Sequence, residues 1–178
     1  MSYPPWTRPT ADEHHEYYAG YIACVADGDF LELFSSQAAG VSKELGAVAD
    51  VDTSICHAPY TWTLKQVVGH LIDAERVFGH RLHWIASGSD QPLAGMDQNF
   101  FVDAFDYRNI EWSDLVRELT CLRQANSILV NRLTADQVNR TGLADGKIIS
   151  VRALAWIMAG HIEYHLRIIR KRLNISDP

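Results

Sequence analysis

Apolar residues recur in four long segments of this chain at alternating steps of three and four positions. This spacing follows the 3.6-residue repeat of an α-helix with one buried face, and no segment alternates apolar and polar residues as a half-buried strand would. The pattern therefore predicts an all-α protein built on four helices. The four sets of core positions are Leu31, Phe34, Ala38, Val41, Leu45 and Val48; Leu64, Val68, Leu71, Phe78 and Leu82; Leu115, Leu119, Leu122, Asn126, Leu129 and Leu133; and Leu154, Met158, His161, His165 and Ile168.

Polar residues suited to helix starts precede three of these segments. Asp29 with Glu32, and Thr63 with Gln66, have the spacing of a capping box, in which two side chains three residues apart satisfy free backbone N–H groups. Ser150 is the expected cap of the fourth helix. These residues predict where the first, second and fourth helices begin.

The connection between the second and third predicted helices is long, running from about Gly88 to Glu111. Short connections in a bundle join antiparallel neighbours, whereas a long connection can span the bundle and join parallel helices. We therefore predict a four-helix bundle with a crossover between its second and third helices.

The size and charge of the chain indicate its number of domains and exclude one class of partner. With 178 residues, 47% of them hydrophobic, the chain can build one substantial core, so we expect a single domain over 1–178 with a short N-terminal extension of about 1–28. A shorter helix is expected within that extension, near Glu13 to Val25. The formal net charge is -6 and the basic residues are scattered apart from a cluster that suits the end of the last helix, so we expect no nucleic-acid partner.

The sequence also indicates the cellular location of the protein. No stretch approaches the 18 apolar residues of a membrane span, and the first thirty residues hold no apolar run, so we expect neither membrane association nor export. The cysteines are odd in number and far apart, which argues against a disulfide framework. Three unpaired cysteines, Cys24, Cys56 and Cys121, are consistent with a cytoplasmic location.

Three histidines occupy positions that core packing alone does not favour. His161 and His165 are four residues apart on one face of the last helix. His70 lies about 10 Å along the second helix from Thr63, so it reaches a similar depth if the two helices are antiparallel neighbours. Three neutral imidazoles with one open position form the ligand set of a catalytic metal ion. We therefore predict a metal site at His70, His161 and His165.

A structural alternative stays open at this point, because eight histidines give some pair at this spacing fairly often by chance. The three residues could instead be hydrogen-bonded core histidines. His80 and His83 form a competing pair that we place on the surface, nearer the exposed end of the second helix. The remaining histidines, expected to be solvated, are His14, His15 and His57.

Three stretches, WTLKQVVGHLIDAERVFGHRL, MDQNFF and SVRALAWIMAGHIEYHLRIIRKRL, resemble the DinB-like (damage-inducible) family, and the resemblance extends from about Phe30 to Leu173. It implies a four-helix bundle of up-down-down-up topology and a divalent metal held by His70, His161 and His165. It also implies homodimers, which adjoining apolar stripes on the second helix favour as well. Members of the family include S-transferases and isomerases that use low-molecular-weight thiols such as bacillithiol or mycothiol.

These observations suggest a metal-dependent enzyme acting on a small molecule. A divalent ion on three neutral histidines can activate a water or a low-molecular-weight thiol for transfer or hydrolysis. Imidazole suits several metals, of which we expect zinc or nickel. The alternatives are a metal-binding module without chemistry and a structural dimeric bundle.

Asp73, one turn after His70, is the candidate general base or supporting carboxylate of this site. The alternative is a solvated acid placed early in its helix, where the dipole favours negative charge. Aromatic and polar residues of the crossover and of the start of the second helix are expected either to border the metal or to close the bundle end. They are Tyr60, Trp62, Asp97, Gln98, Phe100, Phe101, Phe105 and Tyr107.

Overall fold

The computed structural model of the protein describes residues 6–175, so that the first five residues of the expected N-terminal extension lie outside it. Within this range no helix is both long and apolar enough to cross a membrane. The helices are α1 (Ala19–Ala23), α2 (Phe30–Gly46), α3 (Asp50–Thr53), α4 (Leu64–Ala86), α5 (Gln98–Ala104), α6 (Trp112–Asn131), α7 (Ala135–Val138) and α8 (Val151–Arg172), and the strands are β1 (Thr141–Ala144) and β2 (Lys147–Ser150).

The four long helices α2, α4, α6 and α8 form an up-down-down-up bundle, as predicted. In a parallel pair, the residue numbers of successive contacts increase along both helices. In an antiparallel pair, they increase along one helix and decrease along the other. The parallel pairs are α4 with α6, through Glu75–Arg123 and Gly79–Asn126, and α2 with α8, through Gln37–Ala159 and Glu44–Arg170. The antiparallel pairs are α2 with α6, through Leu45–Trp112 and Gln37–Arg123, and α4 with α8, through His70–His165 and Phe78–His161.

Capping residues start these helices where the sequence indicated. The Thr63 hydroxyl accepts from the backbone N–H of Gln66, whose side chain in turn accepts from the backbone N–H of Thr63. Asp29 and Ser150 cap α2 and α8 through their side chains. The short N-terminal helix is α1, which two 3₁₀ turns precede.

The predicted crossover carries the chain from Ala86 back along the bundle to Trp112, which is why α4 and α6 are parallel. It contains α5 and a 3₁₀ turn that begins at Tyr107. The Tyr107 ring packs directly against the backbone of α4 at Gly69, where any side chain would overlap it. A glycine in α4 thus allows the crossover to lie close to the bundle.

A β-hairpin between α7 and α8 was missed by the all-α prediction. Its strands pair in antiparallel register, and its two-residue turn places Asp145 and Gly146 at positive φ, as an Asp-Gly hairpin turn requires. Strands of four residues are too short to show a clear alternation, so only the Asp-Gly pair signals them. The backbone of Leu93 in the crossover bonds to Leu143 and Asp145, which fixes the hairpin against the crossover.

Two clusters of buried apolar side chains fill the bundle, and the three histidines lie where the clusters meet. On α4 the boundary falls between Ile72 and Ala74, about one turn after His70. On α8 the boundary falls between Ala159 and Ile162, beside His161. The imidazoles are therefore surrounded by core on both sides along the bundle axis.

A buried polar network replaces the predicted leucine stripe in the middle of α6. Arg123 is fully buried, pairs with Glu75 at 2.9 Å and donates to Gln37, while its guanidinium lies 3.7 Å from the centre of the Phe34 ring. Asn126 donates to the Glu75 carboxylate at 2.7 Å, so this amide links α6 to α4. The network sets the relative positions of α2, α4 and α6, because its partners cannot slide without leaving buried charges unpaired.

Candidate metal centre

The structure brings His70, His161 and His165 together inside the bundle. The antiparallel packing of α4 on α8 places His70 opposite the two histidines that share a face of α8. The Nε2 atoms of His70 and His161 lie 3.1 Å apart, and one nitrogen of each of the three rings lies within 4.8 Å of the others. His70 and His161 are buried and His165 is half-buried.

This geometry fits a divalent ion. Two imidazole nitrogens on one tetrahedral zinc, each at about 2.0–2.1 Å, lie roughly 3.3 Å from each other. The separation between His70 and His161 is close to that value. A nitrogen of His165 lies within 4.8 Å of the other two, so the donor set matches the three-histidine centres of catalytic zinc.

The three imidazoles are held in the neutral form that metal ligands need. Burial lowers the pKa of His70 to about 4. Burial and the neighbouring His70 lower the pKa of His165 to about 3, and burial with the two other imidazoles places the pKa of His161 well below its ordinary value. At neutral pH each ring can therefore offer a lone pair.

Aromatic side chains surround the imidazoles and restrict their orientation. Most of the contacts are edge-on, with ring centres 5.0 to 5.8 Å apart. The pairs are Tyr21 with His161, Trp62 with His70, Phe78 with His161, and Tyr164 with His165. This packing limits the access of water to the site from most sides.

One side of the cluster remains open to a cavity of about 280 Å³, with His70 and His161 among its lining residues. Five parts of the chain form it: the N-terminal segment, α4, the crossover, the hairpin and α8. Its walls include Tyr21, Phe78, Arg81, Met96, Gln98 and Lys147. A cavity of this size, near the lower end of the range for ligand pockets, suits a small molecule.

The N-terminal segment reaches the site because α8 lacks a side chain at Gly160. A Cβ atom at that position would overlap the backbone carbonyl of Tyr21 in α1. The close approach of the two helices brings the Tyr21 ring to 5.0 Å from His161, measured between ring centres. Part of the N-terminal segment, which the sequence predicted as a short extension, therefore covers the three histidines.

Replacing Gly160 with alanine should separate α1 from α8 and destabilise the protein by about 1–3 kcal/mol, the usual cost of overfilling a packed contact. Thermal unfolding followed by circular dichroism measures the change. Gly40→Ala is the matched control, because nothing lies within 4 Å of the added methyl and the α2 helix should gain up to about 1 kcal/mol. Equal stability of the two variants would contradict the proposed role of Gly160.

Asp73 does not join the three imidazoles. Its side chain is buried, 3% of the residue being exposed, and Oδ1 accepts a hydrogen bond of 2.6 Å from the Tyr107 hydroxyl. It lines a separate cavity of about 390 Å³ with Phe101 and Phe105. Burial raises the pKa of Asp73, although the bond from Tyr107 opposes the rise. Asp73 is thus not a solvated acid, and its role as a base or supporting carboxylate stays a prediction.

The crossover residues divide between the two cavities. Gln98 lines the cavity over the histidines, whereas Phe101, Phe105 and Tyr107 line the one beside Asp73. Trp62 contacts His70, as noted above, and Tyr60 lies under the Arg172 guanidinium. Phe100 is exposed, and Asp97 caps α5.

The other histidines do not form a second cluster among residues 6–175. His80 and His83 are exposed, in agreement with their expected surface position. His15 is exposed but lines the same cavity as His70 and His161, and His57 buries an Nδ1 atom that has no partner.

Several residues near the cluster carried no signal in the sequence. Tyr21 belongs to a short helix without clear periodicity, and Arg81 resembles any charged residue on an amphipathic helix. Lys147 lies in the unpredicted hairpin. Only long-range contacts bring these three side chains to one cavity.

Comparison with known proteins supports the same assignment of fold. The DinB superfamily matches the chain over residues 8–169. No curated protein matches this sequence.

Solved structures also share the fold. YfiT from Bacillus subtilis, described as a probable metal-dependent hydrolase with an unusual four-helix bundle topology, matches with a TM-score of 0.71 at 17% identity, covering 85% of this chain and 92% of YfiT. The mycothiol-dependent maleylpyruvate isomerase matches with a TM-score of 0.64 at 12% identity, covering 79% of this chain and 59% of the isomerase. A histidine-to-alanine mutant of that isomerase gives a TM-score of 0.66 at 12% identity, covering 87% and 63%.

Proposed function

Because this chain belongs to the DinB superfamily, we propose that it is a metal-dependent enzyme acting on a small molecule in the cavity over His70, His161 and His165. The observation that carries the proposal is the convergence of three neutral imidazoles, two of which, His70 and His161, line that cavity. As core histidines, His70 and His161 would share one hydrogen bond between their Nε2 atoms, whereas an ion would use a nitrogen from each of the three rings. The donor set therefore fits a metal better than it fits a packing role.

A divalent ion held by these residues would supply a Lewis acid that lowers the pKa of a bound water or thiol. The chain's own residues provide the rest. His161 and His165 share one face of α8, while Phe78 packs against the His161 ring and Trp62 against the His70 ring. Burial and the neighbouring Tyr17 raise the pKa of Tyr21, so this wall residue stays protonated and can donate a hydrogen bond to a substrate oxygen.

Hydrolysis is the first candidate reaction. It is supported by the similarity to YfiT, which extends over most of both chains. Thiol-dependent transfer or isomerisation is the second, supported by the similarity to the mycothiol-dependent isomerase, although this chain covers only 59% of that protein. Both reactions use the same ion and cavity and differ in the nucleophile that enters.

Elemental analysis of the full chain, purified without an affinity tag, tests the proposal. We expect about one equivalent of a divalent metal, with zinc or nickel foremost, and hydrolytic or thiol-transfer activity that a chelator removes and the metal restores. Activity that needs an added low-molecular-weight thiol would favour the second reaction over the first.

A chain that never binds metal, from cells or from added zinc and nickel salts, would overturn the proposal and favour the structural bundle. A chain that binds metal tightly but turns over neither class of substrate would favour a binding module without chemistry.

A further inference from the structure

The cavity over the three histidines holds a buried cation whose role the metal centre does not explain. Arg81 is 4% exposed and lies on α4, on the same side as His70 and Ala74. Its guanidinium donates one hydrogen bond, of 2.7 Å, to the carbonyl of Ala94 in the crossover. A guanidinium has five N–H donors, so most of its hydrogen-bonding capacity is unused by the protein.

No carboxylate within residues 6–175 forms an ion pair with Arg81. The acid that lines the same cavity, Asp145, is bound by Lys147 at 2.6 Å, so those two charges offset each other. Other buried guanidiniums have more partners than Arg81: Arg123 pairs with Glu75 and Arg170 with Glu44, while Arg172 donates to two backbone carbonyls and lies over the Tyr60 ring. Asp145 also interacts with Arg81, so that one carboxylate serves two cations in this cavity and one positive charge is left over. A buried positive charge in excess is costly, which indicates that a ligand supplies the balancing charge.

We propose that Arg81 binds an anionic group of the substrate, with a carboxylate as the favoured chemistry, while the reacting end of the same molecule lies at the three histidines. The inference rests on the proposed function, because it assigns the substrate class of that site. The planar guanidinium can donate two parallel hydrogen bonds to a carboxylate, and a phosphate offers the same oxygen geometry.

The spacing of the wall residues sets the length of the ligand. The Phe78 ring is close to both groups, with its centre 5.8 Å from that of the His161 ring and 5.9 Å from the guanidinium carbon of Arg81. Ala74 and Met96 add apolar surface to the same cavity. The substrate is therefore a small organic acid in which an apolar spacer separates the anionic group from the reacting group.

Binding of three probes of similar length tests the inference by calorimetry on the full chain with its metal content measured. Hexanoate carries the carboxylate, hexyl phosphate carries a phosphate, and hexanamide is the neutral counterpart of hexanoate. We expect hexanoate to bind more tightly than hexanamide, and Arg81→Gln to weaken hexanoate about ten- to a hundredfold, as the loss of a charged hydrogen-bonding partner does. Metal content should not change.

Two further variants make the result specific. Arg81→Lys keeps the charge without the planar fork and should fall between wild type and Arg81→Gln, with circular dichroism confirming that each variant is folded. Arg76→Gln is the control, because Arg76 lies on the same helix, faces the other cavity and pairs with Glu118. It should bind hexanoate like wild type.

The outcomes separate this inference from the proposed function. Tight binding of hexyl phosphate alone, lost in Arg81→Gln, would support the anion site and assign it to phosphates. Equal binding of hexanoate and hexanamide, no loss in Arg81→Gln, or no binding of either anion at millimolar concentration would overturn it, whatever the metal content. Conversely, hexanoate binding that depends on Arg81 in a chain without metal would keep the anion site while the metal proposal fails.

Discussion

Replacing His165 with alanine should abolish tight binding of zinc or nickel while the bundle stays folded. Two imidazoles rarely match the affinity of three, and His70 and His161 alone would leave the ion with an incomplete ligand set. The core clusters on either side of the site do not depend on His165, so helical circular dichroism should be retained. Metal content and metal titration of the variant measure the effect.

The melting temperature provides a second test of the His165→Ala variant. A metal bound only by the folded chain stabilises it by about 4 kcal/mol when the free metal concentration is a thousandfold above the dissociation constant. The melting temperature of wild type should therefore rise with added zinc or nickel, and that of His165→Ala should not. His80→Ala, which alters an exposed histidine of α4, should behave like wild type. One equivalent of metal retained by His165→Ala would show that the three-histidine site is wrong.

Replacing Glu75 with alanine should cost about 3–5 kcal/mol of unfolding free energy, because it leaves the Arg123 guanidinium buried without its carboxylate partner. Asn126 also loses its acceptor in this variant. For a chain of this length the loss corresponds to a fall in melting temperature of roughly 6–20 °C. Chemical denaturation measures the free energy directly.

The exposed pair Arg76–Glu118 provides the control on the same two helices. Glu118→Ala should cost less than about 1 kcal/mol, since both partners are solvated. The double variant Glu75→Leu with Arg123→Met removes both buried charges and should recover most of the stability lost in Glu75→Ala. If Glu75→Ala and Glu118→Ala were equally stable, the network would not hold the helices in register.

Much of the fold follows from local features of the sequence. The helical spacing of apolar residues predicted all four long helices, and Thr63 with Gln66 forms the capping box expected at the start of α4. The length of the Gly88–Glu111 connection predicted the parallel pair of helices. The choice of histidines also came from local spacing, because His161 and His165 share a helix face and His70 lies at a matching depth on α4.

Other features could not be predicted because they depend on contacts between distant parts of the chain. The orientation of Asp73 depends on Tyr107, which the crossover brings to it. The polar network at Arg123 replaced an expected apolar stripe because Glu75 and Gln37 face it from two other helices.

The sequence alone is sufficient for the four long helices and their order, and for the choice of the three candidate metal ligands. The helices follow from apolar spacing along one face, and the ligands from the four-residue spacing of His161 and His165 with the matching depth of His70. Tertiary packing decides what surrounds those ligands. Gly160 admits α1, and with it Tyr21, while the hairpin and the crossover close the cavity beside Arg81. Such a cavity depends on close approach between segments far apart in the chain, and the periodicity of any one segment carries no information about which others will pack against it.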